Sequence, residues 1–71
     1  MNAQSHIANK TCYEVRFQSL FNAGRALSFP SDAEGHVMLD SLSDRARGNY
    51  LYARAVVGRE YALPMIRATL C

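Results

Sequence analysis

The residue types most able to do chemistry are His6, His36, Cys12 and Cys71, and a knot of polar groups at Ser31, Asp32, Glu34 and His36. A structural zinc site needs Cys and His ligands at short chelating spacings. No two of the four Cys and His residues stand at such a spacing, so no metal and no cofactor is expected. Ser31, Asp32 and His36 are the types used in acyl transfer. They fall on one tight turn, where a solvated loop lacks the dry pocket and oxyanion donors that this chemistry needs. The acids Asp32, Glu34, Asp40 and Asp44 do not follow the alternating ligand pattern of a calcium loop, and turn and helix-cap roles account for them. No catalytic residue is assigned, and the chain is expected not to be an enzyme.

Arginine is the remaining chemical signal. Seven of the eight positive residues are arginine, with Lys10 the exception, against six acids, for a net charge of +2. Guanidinium groups suit phosphate and carboxylate recognition. A nucleic-acid module would use Arg16 on a sheet face together with Arg45, Arg47 and Arg54 on a helix. At about 100° per residue, however, Arg47 and Arg54 flank one side of the helix's apolar stripe and Arg45 and Arg59 the other. Arginines placed that way cover apolar surface with their stems, so this reading stands second.

These residues must be positioned by a small scaffold. The 71 residues allow one domain, which would bury roughly 60–65% of its unfolded surface. The polar opening "MNAQSHIANKT" is read as a flexible tail over 1–11, with His6 in it and no secretory core. Residues 12–71 form a single domain. With two widely separated cysteines and no disulfide framework, Cys12 and Cys71 read as ordinary cytosolic thiols. The longest apolar run is "YLYARAVV", too short to span a membrane, so a soluble cytoplasmic protein without membrane contact is expected.

Alternation in "CYEVRFQSLF" predicts a half-buried strand over 12–21, with Tyr13, Val15, Phe17 and Phe21 on its inner face. Two Gly-ended turns then set the register. Asn22-Ala23-Gly24, with Gly24 left-handed, places Phe21 opposite Arg25 and Phe17 opposite Phe29. Ala33-Glu34-Gly35 places Ser31 opposite Val37 and Phe29 opposite Leu39. The expectation is a meander of strands 12–21, 25–31 and 36–40. Pro30 conflicts with a central second strand, because it has no N–H to donate. Either pairing on one side ends there, or the second strand is not central.

Beyond Asp40 the period changes to that of a helix. Asp40 or Ser41 is the expected N-cap, with Ser41 and Asp44 in capping-box positions. Leu42, Ala46, Tyr50, Ala53, Val57 and Tyr61 form one apolar stripe, and Gly58 is the expected end. The segment 62–71 is open to three readings: a last strand along the sheet edge, a return over the core, or a partner-dependent stretch. The fold class is thus α+β, a three-stranded antiparallel meander followed by one helix packed on one face, with a short C-terminal extension.

Apolar residues exceed what that core can hold. Leu51, Tyr52, Ala55, Val56, Met65 and Ile66 form the candidate interaction surface, covered either by "ALPMIRATL" within the monomer or by a second copy of the chain. The turn "FPSDAEGHV" and the helix "RARGNYLYARAVVGRE", within residues 13–61, resemble a group of small uncharacterised bacterial proteins. That resemblance implies a bacterial cytosolic setting and supplies no functional residue. The expected function is a non-catalytic protein-protein interaction module, forming a homodimer or binding another protein. Nucleic-acid binding is the alternative.

Overall fold

A computed structural model describes residues 11–71. The expected flexible tail, including His6, falls outside them except at Thr11, which already belongs to a strand. Three strands, β1 (Thr11–Gln18), β2 (Ala26–Ser31) and β3 (Met65–Leu70), form one antiparallel sheet. Between β2 and β3 lie a 3-10 turn over Leu39–Ser41 and a helix, α1 (Asp44–Ala55). The class is α+β, but the third strand follows the helix instead of preceding it, and the spatial order is β2-β1-β3. Of the three readings of segment 62–71, the strand along the sheet edge is the one realised.

The conflict at Pro30 resolves through both of its alternatives. β2 is an edge strand. On its outer side the expected contact does begin: Ser31 bridges Val37, the amide of Asp32 donates to the His36 carbonyl at 3.1 Å, and the amide of Met38 donates to the Pro30 carbonyl at 3.0 Å. The reciprocal bond needs an N–H that proline lacks. Pairing stops at that point, so 36–40 is not a strand. The Met38 carbonyl accepts instead from Ser41 at 3.0 Å, opening the 3-10 turn.

The first hairpin is shifted by two residues from the expected register. Phe17 faces Leu27 and Val15 faces Phe29. A shift of two keeps every side chain on its expected face, whereas a shift of one would invert them. The connection is longer because side chains organise it. The Gln18 amide donates to the carbonyls of Ala23 and Arg25 at 3.1 and 2.9 Å, and the Ser19 hydroxyl accepts from the amides of Phe21 and Asn22 at 3.2 and 3.1 Å. Gly24 is not left-handed, and the two glycines with positive φ are Gly35 and Gly58. Phe21, expected inside, is 81% exposed. β1 itself turns away at Ser19, which bridges Tyr61.

The helix starts later than its expected caps. Ser43 is the N-cap, its hydroxyl accepting from the Ala46 amide at 3.1 Å, in place of Asp40 or Ser41. Tyr50 and Ala53 bring the predicted stripe onto the sheet, Leu42 and Val57 pack beside the core, and Tyr61 reaches it from the turn after the helix. Ala46 is half-buried. Val15, Phe17, Phe29, Ala53 and Tyr61 are the buried apolar core. Phe17 meets Phe29, Tyr50 and Tyr61 edge to face at centroid distances of 6.0, 6.1 and 6.5 Å. Each such pair adds about 0.5–1.5 kcal/mol beyond its area.

A core of this size leaves the sheet in need of a staple, and the cysteines supply it. Cys12 and Cys71 form a disulfide with their Cα atoms 5.2 Å apart, which corrects the free-thiol expectation. Cys12 pairs in register with Thr69, so Cys71 is its diagonal neighbour on the same face. No sequence spacing announces this contact, since it exists only once β3 lies against β1. With the two cysteines 59 positions apart in sequence, closure removes unfolded-chain entropy worth about 4 kcal/mol. Chemical denaturation of Cys71→Ser, or of the wild-type chain in reductant, is therefore expected to show a loss of about 2–4 kcal/mol. An unchanged denaturation midpoint would refute the staple.

Candidate interaction surface

Alternation along β1 sorts its neighbours. Val15 and Phe17 point to the inner face, where α1 packs, while Cys12, Glu14, Arg16 and Gln18 point outward. The outer face is polar and internally paired: the Arg67 Nε lies 3.5 Å from the Glu14 Oε2 of its cross-strand partner, and Arg16 donates to Gln18 Oε1 at 3.3 Å. The helix lies on the other side of the sheet. Arg16 is thus separated from the helix arginines of the nucleic-acid reading. Two of those arginines have structural occupations of their own. Arg47 donates to the Asp44 carboxylate at 3.1 Å and to the carbonyls of Leu39 and Leu42, closing the helix entry. Arg54 stacks on Tyr50, 5.8 Å from the ring centroid. Arg45 and Arg59 are exposed.

The polar turn after β2 acts as a clasp. The Asp32 Oδ1 accepts from the amides of Glu34 and His36 at 2.9 and 2.8 Å, and the His36 Nδ1 lies 3.1 Å from Asp32 Oδ2 and 3.7 Å from Glu34 Oε1. These hydrogen bonds, the His36 amide first, hold the Asp32 carboxyl below its ordinary value of 3.8. Ser31 is buried and its hydroxyl donates to the Asp32 carbonyl at 3.0 Å. Ser31 and Asp32 are therefore engaged with the main chain of their own turn, and the His36 ring with the carboxylates of Asp32 and Glu34. Asp32, Glu34 and His36 bring ligand-type atoms within 4.8 Å of one another, all exposed.

This clasp folds over the inner face toward β3. Gly35 has φ of 90°, and a β-carbon there would come within 2.8 Å of the Ile66 side chain. The conformation thus calls for glycine, and any side chain there would also make the end of the Ile66 side chain shift. Between the clasp, Tyr50 and Arg54 of α1, and Pro64, Met65 and Ile66 lies an open groove of about 260 Å³ with Val15 and Phe17 at its floor.

The six residues of the expected surface are not one patch. Leu51, Tyr52 and Ala55 are exposed on α1, but Val56 is half-buried and packs on the core. Tyr52 stands beside the 19–25 connection, near Phe21 and Arg25, and its hydroxyl donates to Glu60 Oε1 at 2.6 Å. That hydrogen bond holds the phenolic proton and raises the Tyr52 pKa. Met65 and Ile66 are 71% and 50% exposed and, as strand neighbours, project to opposite faces.

The structure adds Ala68 and Leu70, which the sequence reading left aside. With Ile66 they pair with Tyr13, Thr11 and Val15 and so share the inner face. There the helix covers the Phe17 end, while Ala68 is exposed and Leu70 is 82% exposed. The alternation in "MIRATL" was the available signal, obscured by Pro64 just before it. Among the described residues no helix is long and apolar enough to cross a membrane. Comparison with protein-family models, curated proteins and solved structures finds no match.

Two measurements test the clasp. Gly35→Ala is expected to lower stability by about 1–2 kcal/mol, whereas Gly48→Ala, in open space on the helix, is expected to raise it by about 0.5–1 kcal/mol. Because the folded Asp32 pKa is depressed, its contribution is present above 3.8 and lost as pH falls through the folded value. In urea titrations the stability difference between wild type and Asp32→Asn should accordingly shrink below pH 3.8; a difference that grows on acidification would contradict this.

Proposed function

We propose that this chain is a non-catalytic protein-protein interaction module that works by self-association. The observation that carries the reading is the uncovered part of the sheet's inner face: Ala68 and Leu70, beyond the clasp that touches Ile66, stand exposed beside a core that the single helix covers only in part. Monomers seldom leave contiguous apolar surface in water, and a second copy is the simplest source of a missing layer. The exposed Leu63 and Met65 add to the apolar surface available.

The Cys12–Cys71 disulfide supports an oxidising compartment as the place of action, in preference to the cytoplasm expected from the cysteine count. Sedimentation equilibrium across a wide concentration range should give a reversible dimer for the oxidised protein. A monomer at every concentration would overturn self-association.

A further inference from the structure

The self-association reading says that two copies meet, and the sheet edges say where. We propose, resting on that reading, that two copies join along β3, antiparallel about a two-fold axis at Ala68, to form one continuous sheet of six strands, three from each copy.

The two edges of this sheet are treated differently. β2 is closed to a further strand: Pro30 removes a donor, and residues 36–38 already bond to its outer side. Prolines and partial covers of this kind keep an edge from pairing with another chain. β3 runs from Met65 to Leu70 without proline, and among the described residues no strand pairs along its outer side. An open apolar edge is a template for strand addition.

Backbone direction identifies the free groups. The Ala62 amide donates to the Gln18 carbonyl at 2.8 Å and the Leu20 amide to the Glu60 carbonyl at 2.9 Å, so even-numbered β1 residues bond toward the β3 side. Their partners Met65, Arg67 and Thr69 therefore bond inward to β1. Ile66, Ala68 and Leu70 direct their N–H and C=O groups outward, to the open edge.

Only some registers use those groups. An axis at Ala68 pairs Ile66 with Leu70 of the second copy, Ala68 with Ala68, and Arg67 with Thr69. Large apolar chains then meet across the edge on the inner face, with the smallest side chain on the axis. An axis at Arg67 would set guanidinium against guanidinium, which is unfavourable directly across a sheet. An axis at Thr69 would leave Ile66 with nothing opposite it in β3. The Ala68 register also leaves Arg67 with its own Glu14.

Sedimentation equilibrium of oxidised wild type, Ala68→Pro, Leu70→Lys and Leu51→Lys tests this, with circular dichroism confirming each fold. The Ala68 N–H faces away from β1, so proline there leaves the monomer's own sheet bonds in place, as Pro30 does in β2. Ala68→Pro and Leu70→Lys are each expected to raise the dimer dissociation constant at least about tenfold, while Leu51→Lys leaves it within about twofold. If Ala68→Pro does not fold, Leu70→Lys decides, since Leu70 is 82% exposed. A wild-type dimer untouched by both β3 variants and weakened by Leu51→Lys would overturn the β3 edge and keep self-association. A wild-type monomer would overturn both.

Discussion

The structure depends on the main-chain groups of β1 finding partners on both sides. Odd-numbered residues bond to β2 and even-numbered ones to β3, so the strand is satisfied only when segments separated by most of the chain close around it. The rest follows from that demand. β3 must return past the helix to reach β1, and its return brings Cys71 beside Cys12 and Tyr61 beneath Phe17.

Pro30 decides which strand holds the centre. A meander would have put β2 there, with a residue unable to complete the ladder. Placing β1 in the middle puts proline on an edge, where its missing donor costs nothing to the sheet and stops the next strand from forming. The released segment becomes the clasp over Ile66 and the entry to α1. One residue thus sets the strand order and shapes the groove beside the helix.

A single helix cannot roof three strands. α1 packs its Tyr50 and Ala53 against Phe17 and Phe29, leaving the β3 side of the inner face to the clasp and, beyond it, to water. The disulfide offsets the small core by restricting the unfolded chain, as is common in small domains. The exposed apolar row and the open edge coincide on the same strand, so burial of side chains and pairing of backbone would be served by one contact.

The sequence by itself determined the faces and the local devices. Alternation put Val15, Phe17, Leu27 and Phe29 on one side, periodicity put Tyr50 and Ala53 on the helix's inner stripe, and the Asp32-to-Gly35 turn was legible in its residues. Even the hairpin's displaced register kept these faces, because a shift of two preserves parity. Only the tertiary structure decided strand order, the disulfide and the bare row on β3. Those depend on contacts between residues far apart in the chain, which no local pattern encodes: Cys12 and Cys71 are neighbours solely because β3 pairs with β1. The residues of the expected surface are dispersed for the same reason. Tyr52, Val56 and Ile66 are close in sequence pattern, yet they were sent to a loop, the core and a sheet face by the path the chain takes to satisfy β1.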